Sequence, residues 1–232
     1  MAADRPYSPV DGLYLKDDFY SNDAVTTGLL GEQGWNMVTI GNASTTAFLT
    51  AQPFGAFSDT TAATADGDGE VYRLFTDGLV LRGNGGGFSC KVCLPTIATN
   101  NFRVGVDDSV TATAPGSGIW VASDGGVLSL ECYSNDHDDS PSTLVTGIST
   151  LTGGTTMVAD TWHEIRVEWH GENGQGGPRW VEIFVDDEYG GGTYCNIAND
   201  EEVEAKIVHW QDSGGALAVA MYVDYYELWI NR

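Results

Sequence analysis

The clearest pattern along the chain is alternation. Over His163–Trp169, the side chains of His163, Ile165, Val167 and Trp169 fall on one face of an extended segment, and Glu164, Arg166 and Glu168 on the other. Ile165 is therefore expected inside and Glu164 outside. Trp180–Val185 repeats the pattern, with Val181, Ile183 and Val185 together. The glycine-rich stretch from Gly171 to Pro178 reads as a hairpin-like connection between them, and Asp186–Asp187 as a turn. Leu217–Ile230 is a longer run, dense in β-branched and aromatic residues. Shorter runs of the same kind are Leu13–Tyr20, Trp35–Ile40, Ala47–Thr50, Glu70–Phe75, Leu79–Arg82 and Phe88–Leu94. Phe102–Val106, Gly118–Ala122, Val127–Tyr133, Ser142–Ser149 and Thr155–Val158 complete the set. No window sustains a helical period. The best helical candidate is Asn199–Ile207, one or two turns with Asn199 as N-cap and Glu202 three residues on.

A dozen or more short strands exceed the roughly seven of an immunoglobulin-type domain. Two large antiparallel sheets accommodate them. The fold class expected is all-β, a two-sheet antiparallel sandwich of jelly-roll type. Nothing resembling a linker divides the chain, so one sandwich domain is expected over 15–232, preceded by an arm over 1–14 that carries Pro6 and Pro9. Ala62–Gly69 and Ser134–Ser142 read as exposed loops, and there is no internal repeat.

Composition sharpens this picture at three points. The 232 residues suit a single all-β unit, and 30 glycines suit many tight turns. Ten Lys and Arg against 33 Asp and Glu leave a net charge of -23. Such a surface repels phosphate backbones and anionic bilayers, so neither nucleic acid nor membrane is an expected partner, whereas a basic protein surface is. The N-terminal residues lack an apolar signal core, and no stretch approaches the roughly 20 apolar residues of a membrane span. Synthesis in the cytoplasm without secretion is expected. The four cysteines are Cys90, Cys93, Cys132 and Cys195. Cys90 and Cys93 form C-x-x-C, but the second pair of a zinc site is missing. Cys90 alternates with Phe88 and Val92, and Cys132 with Leu128 and Leu130, as small buried hydrophobes do. No disulfide is expected to be needed for folding in a reducing cytosol.

Four segments carry a family resemblance. The opening LKDDFYSNDAVTTGLLGEQGWNMV (Leu15 to Val38) joins an acidic-aromatic start to Gly-x-x-Gly-Trp. DTWHEIRVEWHG (Asp160 to Gly171) is followed by VEIFVDDE (Val181 to Glu188), and the chain closes with MYVDYYELWINR (Met221 to Arg232). This layout resembles the concanavalin A-like lectin/glucanase sandwich, especially domains of that type in tailed-phage virion proteins. The resemblance implies that the strand opening at Trp162 and the hairpin strand Val181–Val185 lie side by side, and that the last strand closes the fold. Asp187 stands where the family usually has Gly, which alters the turn.

The chemistry of that family is not evident here. Its glucanases carry carboxylates two residues apart on one strand, which divide the acid and nucleophile roles. The pattern Glu-x-Asp-x-(x)-Glu is missing. Glu164 and Glu168 share a face with Arg166 between them, as a salt-bridged exposed face would. Glu182 shares a face with Trp180 and Phe184, a surface suited to sugar but with one carboxylate only. There is no Gly-x-Ser-x-Gly elbow, and His137, His163, His170 and His209 show no zinc spacing. No catalytic, cofactor-binding or metal residue is assigned. Two acidic stretches, Asp66 to Glu70 and Asn135 to Asp139, present hard oxygens suited to calcium without completing an EF-hand loop, and solvated loops are the favoured reading of both. Trp120, Trp180, Trp210, Tyr189, Tyr194 and Tyr222 are candidates for stacking on sugar rings, and tryptophans are equally expected in the core.

The function expected from these readings is non-enzymatic: a structural component of a tailed-phage particle, as capsid decoration, fibre or other surface protein. It would be made in the host cytoplasm and reside in the virion. Its partners would be other virion proteins and copies of itself, with a trimer favoured by the resemblance. The uncharged, glycine-rich Tyr189–Ile197 is a candidate contact. The alternative is a carbohydrate-binding, lectin-like module. A polysaccharide-degrading glycosidase ranks third.

Overall fold

A computed structural model of the chain describes residues 12–19, 29–42, 44–49, 55–63, 67–81, 85–108, 116–133, 142–146, 157–171, 178–195, 197, 202–212 and 217–231. No helix occurs among them. In chain order the strands are β1 (Gly12–Asp17), β2 (Leu29–Leu30), β3 (Trp35–Ile40), β4 (Thr45–Phe48), β5 (Phe57–Thr60) and β6 (Gly69–Val80). Then come β7 (Gly86–Cys93), β8 (Asn100–Asp107), β9 (Gly118–Asp124), β10 (Val127–Tyr133) and β11 (Ser142–Thr146). β12 (Trp162–His170), β13 (Trp180–Val185), β14 (Glu188–Tyr194), β15 (Glu202–Gln211) and β16 (Ala220–Asn231) complete the fold.

They form two antiparallel sheets. The first runs β14-β13-β12-β7-β16-β5-β4, with β1 also paired to β16; the second runs β11-β10-β9-β8-β15-β6-β3-β2. The two sheets pack as a sandwich because nearly every strand has one apolar face. In β12, His163, Ile165, Val167 and Trp169 are buried, Ile165 completely, and Glu164 lies on the opposite face as its alternation requires. β12 and β13 do lie side by side, and β16 joins the chain's end to β7, β1 and β5. The core centres on rings from both sheets. Trp35 meets Tyr226 edge-on at 5.0 Å, and Phe88 stacks with Tyr226 at 6.2 Å. The Tyr226 hydroxyl donates across the sandwich to the Gly105 carbonyl at 2.9 Å.

Two buried polar devices hold these layers. Asp17, fully buried, accepts from the backbone amides of Phe19 (2.8 Å), Glu32 (3.4 Å) and Gln33 (3.0 Å) and from Trp35 Nε1 (3.1 Å). Its desolvation is thereby offset, and it ties the β2–β3 turn to β1. The second device spans the sheets. Asn100 spends its amide nitrogen on the carbonyls of Thr96 and Ala220, both at 2.8 Å. Its oxygen therefore accepts from His209 Nε2 at 2.8 Å, leaving Nδ1 to share a proton with Asp59 Oδ2 at 2.6 Å. His209 belongs to the second sheet and Asp59 to the first; both are completely buried.

Several expectations are corrected. Of the helical candidate Asn199–Ile207, residues 199–201 lie outside the described residues, and 202–207 are strand instead: they open β15, where Val203, Ala205 and Ile207 face the core while β8 and β6 pair on either side. The N-cap signal is local, and two neighbouring strands outweigh it. Glu70–Phe75 and Leu79–Val80 are one strand, β6, whose pairing with β15 steps from Leu74 to Leu79; Leu81 is past its end and Arg82 lies outside the described residues. Phe75, with φ 64°, turns the backbone out between them. The last strand starts at Ala220 rather than Leu217, and 157–158 are not strand. Tyr189 to Tyr194, in the candidate contact segment, lie in β14, the edge strand of the first sheet. The two-residue β13–β14 turn has Asp186 and Asp187 both at positive φ (53° and 66°), the geometry of a type I′ hairpin. Asp186 stabilises it by accepting from the Glu164 amide (2.9 Å) and pairing with His163 Nδ1 (2.7 Å). Of the expected N-terminal arm, residues 1–11 lie outside the described residues, and Gly12 to Tyr14 open β1.

The cysteines also depart from expectation. Cys132 on β10 and Cys195 just past β14, 63 positions apart in sequence, form a disulfide with Cα atoms 6.0 Å apart. Apolar alternation places Cys132 inside but says nothing of Cys195, and it does not show that strands from different sheets bring the two together. Cys90 and Cys93 are buried thiols. Burial pushes the Cys93 thiol up to about 11 and that of Cys90 higher still.

Closing a loop of this length should contribute roughly 4 kcal/mol through the unfolded state. Reduction, or Cys132→Ala with Cys195→Ala, is expected to lower the denaturant midpoint accordingly. Coincident melts with and without reductant would show the bond to be dispensable. A second expectation concerns Glu70, which accepts from Thr39 Oγ1 at 3.1 Å. Burial raises its pKa to about 7, the Thr39 hydrogen bond opposes the shift and Asp59 adds to it. Between the ordinary value of 4.5 and about 7 the folded state holds the extra proton. Stability therefore falls as pH rises through that window, and the penalty persists above it. Glu70→Gln should flatten this slope and exceed the wild type in stability above about pH 7. Urea midpoints across the window measure it, and an unchanged slope in the variant contradicts it.

Candidate functional site

The face of the second sheet turned away from the core carries the unusual chemistry. On β8, Phe102, Val104 and Val106 face the core, so Asn101, Arg103 and Asp107 face away. On β15 the same parity turns Glu204, Lys206, Val208 and Trp210 outward, and on β10 Ser129 and Glu131. Register brings these together across strands: Glu204 opposite Asp107, Val208 opposite Arg103, and Glu131 opposite Trp120.

At one end of this face sits a buried ion cluster. Lys206, 2% exposed at its side chain, pairs with Asp107 and, at 3.0 Å, with Glu204; Arg73 lies 3.7 Å from Glu204. Burial raises the Glu204 pKa, with Lys206 and Arg73 opposing. Asp108 is likewise raised by burial. Beside the cluster, Val71 and Val208 form a small apolar centre outside the main core, with Val38, Ile40 and Trp210 packed on it.

At the other end the face opens into a pocket of about 540 Å³, within the range of small-ligand sites. Trp210 forms one wall. Arg103, 8% exposed, places its guanidinium 5.5 Å from the Trp120 ring centroid and 5.7 Å from that of Trp210. Burial lowers its pKa, and Asp107 and Glu131 counter this. Glu131 accepts from Trp120 Nε1 at 2.8 Å and Ser129 Oγ at 2.9 Å. Asp124, Asp212 and Asn101 complete the polar lining. The tight β9–β10 turn holds this hairpin in place: Gly125 and Gly126 both have positive φ, and the Gly125 amide donates to Asn101 Oδ1 at 3.1 Å. A Cβ on Gly126 would sit 2.1 Å from Ile97.

The six aromatic candidates divide between the two outward faces. Trp210 lines the pocket; Trp120 is 1% exposed and serves as a floor for Arg103 and an anchor for Glu131. Trp180, Tyr189, Tyr194 and Tyr222 belong to the first sheet. There Trp180 meets Tyr194 edge-on at 5.0 Å and Trp162 meets Tyr222 at 6.4 Å. Glu168 pairs with Arg166, whose guanidinium covers Phe184, and Glu182 lies 3.4 Å from His170. Of the salt-bridged face expected of Glu164, Arg166 and Glu168, the Arg166–Glu168 pair forms, whereas Glu164 accepts from Ser89 Oγ at 3.5 Å.

The acidic stretch at Asp66–Glu70 resolves in part. Asp68 accepts from the Asn42 amide and side chain, and Glu70 from Thr39, so both carboxylates serve the fold. Asp66, the Asn135–Asp139 stretch and His137 lie outside the described residues. His163 Nε2 accepts from the Val158 amide at 3.1 Å, and Nδ1 donates to Asp186.

Arg103, Asp124, Glu131 and Asp212 were not singled out from the sequence. A signal was present: Arg103 interrupts the Phe102–Val104–Val106 alternation, and Glu131 that of Leu128–Leu130–Cys132. Which outward residues meet depends on strand order.

No protein-family model and no curated protein sequence matches the chain. Solved structures do. An endo-β-1,4-glucuronan lyase from the fungus Trichoderma reesei superposes with a TM-score of 0.60 at 12% identity, covering 94% of this chain and 95% of that one. The carbohydrate recognition domain of Emp47p gives 0.59 at 9% identity, covering 97% and 99%. A carbohydrate esterase from the Shiga toxin-encoding bacteriophage phi24B gives 0.54 at 14% identity, covering 94% and 98%. The chain has the lectin-like jelly-roll sandwich that these structures share.

Proposed function

We propose that this chain is a carbohydrate-binding, lectin-like domain whose site is the Trp210 pocket on the outward face of the second sheet. The observation that carries the reading is the pocket itself: an indole wall beside a hydrogen-bonding floor of Asn101, Glu131 and Asp124. Sugars present apolar ring faces and hydroxyl edges together, which is what such a lining complements. The three structural neighbours named above, each acting on or recognising carbohydrate by name, support the reading through the fold. Binding without turnover is proposed, because the carboxylates set within the sheet face are engaged, Glu131 by Trp120 and Ser129 and Asp107 and Glu204 by Lys206, which leaves Asp124 and Asp212 at the pocket rim as the carboxylates open to a ligand. A glycan array followed by titration tests it. Trp210→Ala should weaken the best array ligand about tenfold, some 1.4 kcal/mol. Tyr194→Ala, on the other sheet and 76% exposed, should leave it unchanged. The reverse result would move the site to the first sheet, and new reducing ends on incubation would indicate turnover.

A surface component of a tailed-phage particle is a second reading, compatible with the first. It is supported by the bacteriophage neighbour and by the disulfide, a bond that persists on virion surfaces and in other oxidising settings. Copies of the chain would then associate despite a charge of -23. Light scattering from low to high salt is expected to show an oligomer, and a monomer throughout would remove this reading.

A further inference from the structure

Glycan binding as such leaves the charge of the ligand undefined, and the pocket lining bears on it. One guanidinium, Arg103, stands among three carboxylates, Asp124, Glu131 and Asp212. With Arg103 8% exposed, the guanidinium presents little surface to an anion. It is buried between two indoles and held electrostatically by Asp107 and Glu131. Glu131 is itself committed to Trp120 and Ser129. Asp124 and Asp212 differ: both are exposed, one ending β9 and the other following β15, and no cation among the described residues pairs with either.

A sugar carboxylate entering the pocket would therefore meet two uncompensated carboxylates, on a chain of net charge -23. With a screening length of about 8 Å at physiological salt, both act on anything inside. An ammonium group meets the opposite field, and the indole face of Trp210 also attracts cations.

We propose that the ligand is a saccharide carrying free amines, of the glucosamine type, with its ammonium groups received by Asp124 and Asp212 and a ring face by Trp210. This rests on the glycan-binding reading and commits to the charge class opposite to that of a polyuronate such as glucuronan. Calorimetric titration with three probes of equal length tests it: oligo-glucosamine, its N-acetylated counterpart and oligo-glucuronate. At low salt, oligo-glucosamine should bind about tenfold more tightly than the N-acetylated chain, and oligo-glucuronate not measurably. Asp124→Asn with Asp212→Asn should remove the preference. Glu188→Gln with Glu202→Gln, which neutralises two exposed carboxylates elsewhere, should change it less than about twofold.

Three outcomes overturn the amine proposal while leaving glycan binding in place. They are tightest binding of oligo-glucuronate, equal binding of the amine and N-acetyl chains, or equal loss in both double variants. Equal loss would mean diffuse attraction to an acidic protein. If none of the probes binds and the glycan array is blank, the proposal and the reading beneath it fall together.

Discussion

Strand β15 carries the central constraint of this protein, because its interior has no free face. Val203, Ala205 and Ile207 pack into the core, and Glu204, Lys206 and Val208 are buried on the other side. A shift of one residue would drive Lys206 into the apolar interior and leave Ile207 among carboxylates. Neither is tolerable, since an unpaired buried charge costs several kcal/mol. The pairing with β8 and β6 is held at this register, and His209 fixes the strand again through Asp59 in the opposite sheet.

The buried ions serve the fold through this constraint. Desolvation offsets much of the attraction among Lys206, Asp107, Glu204 and Arg73, so the cluster adds little net stability. What it does is penalise every alternative arrangement. The two hydrogen-bonded devices work the same way: Asp17 is satisfied only when the β2–β3 turn closes on β1, and Asn100 only when Thr96, Ala220 and His209 converge. The disulfide adds a tie between β10 and the chain just after β14, at the end where the second sheet finishes in β11.

The pocket inherits its form from the same register. Trp210 continues the outward row of β15, Arg103 lies on the neighbouring β8, and Trp120 and Glu131 follow on β9 and β10. Four strands thus contribute one wall each, from positions spread over 108 residues of sequence from Arg103 to Trp210, counted inclusively. Because the rows are rigid sheet rather than loop, the aromatic wall and the polar floor are held before any ligand arrives, which lowers the ordering cost of binding. The carboxylates at the rim, Asp124 and Asp212, sit where strands end and are the part most exposed to solvent.

The amino-acid sequence by itself determined the fold class, most strands and the side that each residue faces. Alternation is local physics: successive residues on a strand point opposite ways, so Ile165 and Glu164 were separable without coordinates. It also determined the strongly acidic surface. Tertiary structure alone decided the rest. Residues 202–207 became strand because β6 and β8 stood ready to pair with them, whatever their local helical signal. Cys132 and Cys195 met because two sheets pack face to face. Arg103, Glu131 and Trp210 formed a site because β8, β10 and β15 fall near one another in a sheet whose order is not the order of the chain. Parity is set by neighbouring residues, whereas strand order is set by how the whole core is buried, and only the folded chain contains that information.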